Sequence, residues 1–172
     1  SLTMKAQICR TLPQKKKKLD ILYEDDQILF VNKPVGMLSQ KAKADDISLN
    51  EYIISYLLEK KELTQQDLAR FQPSICNRLD RNTSGIVAAG KTIAGLQMLS
   101  GIFKDRTVHK YYRCIVKGQI LKEQKIEGYL RKEEKKNQVF IEKEQSDNAS
   151  WICTAYRPLE IFPQYTYLEV EL

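Results

Sequence analysis

The sequence predicts an α+β fold with a mixed, mainly antiparallel sheet and flanking helices. Short apolar runs with the composition of β-strands recur along the chain, and several are joined by short polar turns that are typical of hairpins. Two longer segments have helical periodicity and begin with capping residues. The helices are interspersed with the strands and do not alternate strictly with them, as they would in a parallel α/β fold.

The composition is that of an ordinary globular protein with a basic excess. The length of 172 residues fits one domain with a hydrophobic core. Lys and Arg number 28 against 22 Asp and Glu, and the resulting net charge of +6 suits a polyanionic partner. Four consecutive lysines occupy positions 15–18. We predict that residues 1–19 form a basic tail or linker and that residues 20–172 form the folded part.

The first half of the folded part contains a hairpin and two helices. Apolar runs on both sides of the acidic turn at 24–27 predict a β-hairpin over residues 21–31. Ser48 and Glu51 have the spacing of a capping box, which opens a helix, and residues 63–71 fit a further short helix. The predicted inner face of the longer helix consists of Leu49, Tyr52, Ile53, Tyr56 and Leu57.

The second half returns to strands after one more helix. Residues 86–89 predict a short strand, and Thr92 then caps a helix. Residues 110–116 predict a further strand, in which alternation places Tyr112 and Tyr111 on opposite faces, and several short strands follow within residues 126–172. The inner face of the helix is predicted to consist of Ile93, Leu96, Leu99, Ile102 and Phe103.

The cysteines bear on metal binding and on the redox compartment of the protein. The four cysteines contain no C-x-x-C pair, so a zinc site has no support. Cys114 and Cys153 lie in strand-like runs, and we expect buried thiols in a reducing compartment. The sequence has neither an apolar run of membrane-spanning length nor a secretory signal, and we expect a cytoplasmic protein. His109 is expected to open a strand and face solvent.

Residues 85–92 (GIVAAGKT) match the phosphate-loop pattern G-x-x-x-x-G-K-S/T. In a phosphate loop, the main-chain N–H groups between the glycines curl around the phosphate. Here the intervening residues have the composition of a strand, in which those N–H groups pair with a neighbouring strand. Nucleotide binding is therefore the less favoured alternative.

Asp80 is the strongest candidate for chemistry. It lies between Arg78 and Arg81 in residues 77–85 (NRLDRNTSG), with Leu79 as an apolar anchor. Nearby guanidinium groups favour the ionised carboxylate, which can act as a base, a nucleophile or a metal ligand. A structural ion pair at a loop accounts for the same residues equally well.

Four segments in order resemble the Rlu-type RNA pseudouridine synthases. Residues 77–85 are similar to the family's motif H-R-L-D-R-x-T-S-G, and residues 31–37 (VNKPVGM) to its N-K-P-x-G turn. Residues 110–118 (KYYRCIVKG) are similar to its K-x-Y-x-A-x-V-x-G strand, and residues 166–172 to a later core strand. The resemblance implies part of a catalytic domain that isomerises uridine to pseudouridine in ribosomal or transfer RNA, without a cofactor or a metal.

The resemblance also implies roles for individual residues. Asp80 is expected to be the nucleophile, attacking either the uracil ring or the anomeric carbon of the ribose. Because a stacked base is out of reach, the nucleotide must be flipped out, and Arg78 is expected to take its place. Tyr112 is expected to stack on the flipped uracil and to move a proton. The residues expected to contact RNA are Arg78, Arg81, Lys33 and Lys110.

The chain departs from the family pattern in three ways. Asn77 stands where the family most often has histidine, although an asparagine also forms hydrogen bonds. The family's T-G-R/K-x-H-Q-I-R segment, whose basic residue pairs with the catalytic aspartate, does not follow residue 172. The small N-terminal RNA-binding domain of many members is also missing. We therefore expect a piece of a longer protein, and a fragment that binds RNA without activity remains an alternative.

Overall fold

The computed structural model describes residues 18–105, 107–133, 138–145 and 149–172. Most of the predicted basic tail, residues 1–17, lies outside the described residues. The chain divides into two compact units, of which the first ends at Thr107 and the second begins at Val108. The sequence pattern gave no sign of this division.

The first unit combines an antiparallel sheet with helices. The strand order in the sheet is β1-β2-β4-β3. The strands are β1 (Ile21–Glu24), β2 (Ile28–Lys33), β3 (Ser74–Ile75) and β4 (Gly85–Gly90). The helices of the described residues are α1 (Leu49–Glu59), α2 (Gln65–Leu68) and α3 (Ile93–Lys104). The predicted hairpin, both longer helices, the short helix and the strand before α3 are all confirmed.

The pairing of β2 with β4 determines where the loops of this unit meet. Lys33 lies opposite Gly85, and Ile28 lies opposite Gly90. The loop that follows β2 and the loop that precedes β4 therefore leave the sheet at the same edge. Between the two ends, Val31 and Val87 are fully buried and belong to the core of the unit.

Both longer helices begin at the predicted capping residues. Glu51 Oε2 accepts hydrogen bonds from the main-chain N–H of Ser48 (2.9 Å) and from its hydroxyl (2.6 Å). Thr92 Oγ1 accepts a hydrogen bond from the main-chain N–H of Gly95 (3.1 Å). These contacts satisfy N–H groups that have no partner within a helix, which explains why each helix begins where it does.

The predicted inner face of α3 is only partly correct. Leu99 is buried, but Ile93 and Ile102 are exposed by 56% and 36%. The helix packs through the side that carries Gly95 and Leu99, where an added Cβ on Gly95 would clash with the carbonyl oxygen of Gln27. Ile93 lies about 160° from Gly95 around the helix axis, outside this side. Ile102 lies on the same side as Gly95 but about two turns further along, near the end of the helix.

The second unit is an antiparallel sheet with the strand order β5-β9-β8-β6-β7. Its strands are β5 (Tyr111–Lys117), β6 (Gln124–Glu133), β7 (Gln138–Glu142), β8 (Ala149–Ile161) and β9 (Tyr165–Glu171). The predicted α+β fold is confirmed, and the pairs of named strands in both sheets are antiparallel. A parallel contact among the described residues is an isolated bridge between Leu38 and Ser48.

The prediction of buried thiols in the second unit is wrong. Cys114 and Cys153 are both exposed. The described residues of this unit form strands and turns but no helix, so no second layer within the unit covers the faces of the sheet. The side chain of His109 is 74% exposed, as expected. Within the described ranges, no helix has both the length and the apolar character needed to cross a membrane.

Candidate active site

Asp80 lies in the aspartate loop, which we define as residues 76–84 between β3 and β4. Its side chain is exposed, whereas the neighbouring Leu79 is 9% exposed and anchors the loop in the core. The main-chain N–H of Thr83 donates to the carbonyl of Asp80 (3.0 Å), which closes a turn immediately after the aspartate. The carboxylate is thus exposed to solvent, on a loop whose main chain is held by a hydrogen-bonded turn and by the buried side chain of Leu79.

The side chain of Asn77 joins the start of the aspartate loop to β4. Its Nδ2 donates to the carbonyl of Ile86 (3.0 Å), and its Oδ1 accepts from the main-chain N–H of Ala88 (2.8 Å). The carboxamide therefore bonds to β4 as a peptide group of a neighbouring strand would. It continues the pairing of Cys76, whose main-chain N–H donates to the carbonyl of Ala88 (2.7 Å). The asparagine at this departure from the Rlu-type motif keeps the loop hydrogen-bonded to the sheet.

The β2–α1 loop, residues 34–48, holds both neighbours of Asp80. Ser39 Oγ donates to the carbonyl of Leu79 (2.6 Å) and accepts from its main-chain N–H (3.0 Å). The main-chain N–H of Gly36 donates to the carbonyl of Arg81 (2.7 Å). Gly36 has a φ of +85°, a conformation that glycine adopts without strain. Ser39 has no signal in the sequence, because nothing in a local pattern reveals a partner that lies 40 positions away.

Lys33 is a buried cation at the end of β2. Its side chain is fully buried, and its Nζ donates to the main-chain carbonyls of Met37 (2.8 Å) and Pro34 (3.2 Å). Burial lowers the pKa of Lys33, and the nearby negative charge of Asp80 partly opposes this effect. The expected contact of Lys33 with RNA is not supported, because its ammonium group already bonds inside the fold. Its buried positive charge instead interacts electrostatically with the carboxylate of Asp80.

Exposed cations on the aspartate loop and on the β2–α1 loop form no side-chain hydrogen bond or ion pair among the described residues. Arg78 and Arg81 are exposed, and neither guanidinium group has a hydrogen bond or ion pair within the part of the chain that the structure describes. Lys43 is also exposed. Hydrogen bonds from the main-chain N–H groups of Lys43 and Ala42 lower the pKa of Asp46, and the charges of Lys43 and Arg81 add to this effect. This arrangement of free cations suits a polyanionic ligand.

The structure contradicts the phosphate-loop alternative. The six residues of β4 pair with β2 and have the extended conformation of a strand, so their N–H groups do not curl around a phosphate. Lys91 Nζ donates to Glu24 Oε1 (2.9 Å) and forms an ion pair with Glu62. Burial alone would raise the pKa of Glu24, but hydrogen bonds from Lys91, Tyr56 and Lys60 lower it to about 2. Lys91 is thus part of a structural ion-pair network.

The remaining predicted site residues lie in the second unit. Tyr112 is half-buried in β5, opposite Val170 of β9. Lys110 is exposed, and its carbonyl accepts a hydrogen bond from the main-chain N–H of Leu172 (3.1 Å). Asp80, Arg78, Arg81 and Lys33 all belong to the first unit. Among the described residues, no group of three or more His, Cys, Asp or Glu side chains could hold a metal ion.

The known proteins to which this chain is similar are described as RNA pseudouridine synthases. A family model described as RNA pseudouridylate synthase matches residues 27–172. A ribosomal large subunit pseudouridine synthase D of Borreliella burgdorferi is 30% identical over 155 residues, which cover 88% of this chain and 46% of the relative. An uncharacterized RNA pseudouridine synthase of Mycoplasma genitalium is 35% identical over 105 residues, 60% of this chain and 32% of the relative. The chain thus spans about half or less of the length of these relatives.

Two solved human structures share the fold. RNA pseudouridylate synthase domain containing 1 has a TM-score of 0.68 and 20% identity, over 92% of this chain and 61% of its own. RNA pseudouridylate synthase domain containing 4 has a TM-score of 0.68 and 17% identity, over 88% of this chain and 57% of its own.

Proposed function

Because the chain belongs to the RNA pseudouridylate synthase family, we propose that the protein containing it isomerises uridine to pseudouridine in ribosomal or transfer RNA in the cytoplasm. The observation that carries this proposal is the exposed carboxylate of Asp80, which lies within the segment that resembles the catalytic motif and is held by hydrogen bonds to both of its neighbours in the chain. Asp80 is the proposed nucleophile.

The reaction explains why a carboxylate is needed. The glycosidic bond between the anomeric carbon and N1 of uracil breaks, the uracil rotates, and a bond forms between the anomeric carbon and C5, which then loses its proton. Asp80 forms a transient covalent bond, either with the uracil ring or with the anomeric carbon, and this bond breaks before the product leaves. Tyr112 stacks on the flipped uracil and takes part in the proton transfer.

The charges near Asp80 support its role as a nucleophile. A carboxylate attacks only in its ionised form, which nearby positive charge favours. Lys33 supplies such a charge from a buried position, where solvent screens it less than at the surface. We therefore assign Lys33 an electrostatic role in place of the RNA contact that the sequence suggested.

The free cations near the carboxylate support RNA as the substrate. Arg78 and Arg81 have no partner in the described ranges, and phosphate groups are the ligands that planar guanidinium groups bind best. Arg78 occupies the space that the flipped base leaves, while Arg81 and Lys43 contact the sugar–phosphate chain. Lys110 makes a further phosphate contact from the second unit.

A tritium-release assay on RNA labelled at C5 of uridine tests this proposal. In the full-length protein, Asp80→Ala is expected to lower the rate by roughly 10³-fold or more, because the covalent step is lost. Asp26→Ala is the matched control, since Asp26 is also an exposed aspartate in a loop of the first unit. Undiminished release by the Asp80 variant would contradict the proposed nucleophile.

The second candidate, RNA binding without activity, applies to the chain by itself. The chain spans about half of the length of this relative, and the second candidate is that catalysis also requires residues outside positions 1–172. The same assay distinguishes the two candidates. If the full-length protein releases tritium and residues 1–172 bind RNA without releasing it, the whole protein is the enzyme and the shorter chain only binds RNA. Release by residues 1–172 alone would contradict the second candidate.

A further inference from the structure

The hydroxyl group of Ser39 bonds to both main-chain polar groups of one residue. Ser39 is 4% exposed, and its Oγ lies 2.6 Å from the carbonyl oxygen and 3.0 Å from the nitrogen of Leu79. The hydroxyl donates in the first bond and accepts in the second, which uses the capacity of a serine side chain for both roles. Such a pair of bonds fixes the orientation of both peptide planes that meet at Leu79.

These bonds matter for Asp80 because its carboxylate has no hydrogen bond of its own within the described residues. Its direction therefore depends on the main chain to which it is attached. That main chain is held at Leu79 by Ser39, at Arg81 by the N–H of Gly36, and at Asp80 itself by the N–H of Thr83. Among these contacts, only the one from Ser39 is made by a side chain that can be replaced.

We propose that Ser39 is a positioning residue for catalysis, which holds Leu79 so that the carboxylate of Asp80 points at the reacting uridine. The inference rests on the proposed function, and it adds a residue that lies outside the aspartate loop. A reactive group must stay within about 0.5 Å of its productive position, and a displacement of about 1 Å costs roughly 10²-fold in rate. Loss of the two bonds would permit a displacement of this size.

The second unit provides a matched buried hydroxyl for comparison. Thr166 is fully buried, and its Oγ1 donates to the carbonyl of Gly118 (2.8 Å) and accepts from the N–H of Ile120 (2.9 Å). The chemistry is the same as at Ser39, but no candidate catalytic residue is adjacent to its partners in the chain. Removal of this hydroxyl reports the structural cost alone.

The test compares Ser39→Ala with Thr166→Val in the full-length protein, by tritium release at saturating RNA. Ser39→Ala is expected to lower kcat by roughly 10-fold to 100-fold while KM for RNA changes by less than about 2-fold, because binding does not use the carboxylate's direction. Thr166→Val is expected to lower the melting temperature and to leave kcat unchanged. A normal kcat in Ser39→Ala, or equal losses of kcat in the two variants, would overturn the inference.

A second variant covers the case in which Ser39→Ala does not fold. Ser39→Cys keeps nearly the same shape, but a thiol forms weaker and longer hydrogen bonds. Its kcat is expected to fall below that of the wild type while KM for RNA changes by less than about 2-fold, and a wild-type kcat would overturn the inference. Asp80→Ala distinguishes the proposed nucleophile from the proposed positioning role, since full activity in that variant contradicts Asp80 as the nucleophile. Loss of activity there with a normal kcat in both Ser39 variants contradicts only the positioning role.

Discussion

The two ends of the β2–β4 pair differ in how their charges are compensated. At the end where Ile28 faces Gly90, Lys91 lies between the carboxylates of Glu24 and Glu62, and its side chain is only 8% exposed. At the end where β2 leads into the β2–α1 loop, the exposed Arg78 and Arg81 have no ion-pair partner in the described ranges. Opposite charges stabilise one end of the sheet, whereas the other end keeps unpaired cations around an exposed aspartate.

This difference separates stability from function within one small sheet. Charges that are paired inside the fold contribute to its free energy of unfolding when the pair is well buried and hydrogen-bonded. Cations that remain unpaired contribute little or repel one another, so their presence is better explained by a partner with negative charge. Substitutions at the paired end should therefore change stability, and substitutions at the open end should change activity or RNA binding.

The largest expected effect is that of Asp80→Asn. The substitution removes the nucleophile but keeps the shape of the side chain, so we expect a loss of activity of roughly 10³-fold or more. Because the carboxylate accepts no hydrogen bond from the described residues, the melting temperature should be unchanged or only slightly lower, the small loss coming from its charge interaction with Lys33. A clear loss of stability in this variant, measured by thermal unfolding, would show that the open end also serves the fold.

The next effect in size is that of Lys91→Met. The substitution removes the less exposed of two lysines that both pair with Glu24 and Glu62. Because Lys60 remains, we expect the free energy of unfolding to fall by about 1–3 kcal/mol. Urea denaturation measures this loss. The control is Lys104→Met, at an exposed position at the end of α3, which should cost less than about 1 kcal/mol. The kcat of Lys91→Met below its melting temperature should match the wild type, and a lowered value would remove the distinction between the two ends.

Removal of the arginines should have a smaller effect, on RNA affinity. Arg81→Ala removes a proposed phosphate contact and is expected to weaken binding and to reduce the slope of log K against log salt concentration by about 0.7–1. Arg78→Ala removes the side chain proposed to replace the flipped base, and it should change this slope less. Fluorescence anisotropy with labelled ribosomal RNA at several salt concentrations measures the slope. Lys104→Ala serves as the control, and an unchanged slope in Arg81→Ala would show that Arg81 does not contact phosphate.

The smallest expected effect is the acid sensitivity that Glu24 contributes. Its pKa is lowered from 4.5 to about 2 in the folded state, so its contribution to stability is fully present above pH 4.5 and is lost as the pH falls towards 2. Allowing for solvent screening, we expect a loss of about 1–2 kcal/mol over this range. Denaturation of Glu24→Gln at several pH values should lack this component. An equal pH dependence in the variant and the wild type would assign the acid sensitivity to other carboxylates.

Local patterns in the sequence were sufficient to predict the secondary structure and to single out Asp80 as a candidate. The capping residues Ser48 and Thr92 and the alternating strands depend on neighbours within a few positions, and the motif around Asp80 is contiguous. The burial of individual side chains was harder to predict, because it depends on distant contacts. Ile93 was assigned to the inner face of α3, but the helix packs through the side that carries Gly95, which lies about 160° from Ile93 around the helix axis.

The candidate site shows the same limit more sharply. Lys33 was expected at the surface, as most lysines are, and its burial depends on a turn whose carbonyls surround the ammonium group. Ser39 had no sequence signal, because its partner Leu79 lies 40 positions further along the chain. The sequence motif therefore singled out the proposed nucleophile but gave no signal for the buried contacts made by Lys33 and Ser39.

The side chain of Asn77 has a further consequence for the edge of the first sheet. Because β3 has only two residues, it leaves part of β4 without a neighbouring strand, and the amide of Asn77 occupies the main-chain groups of Ile86 and Ala88 there. A strand edge with free N–H and carbonyl groups is a template on which a strand from another molecule can add. The asparagine thus occupies main-chain groups of this edge that a strand from another molecule would otherwise need for pairing.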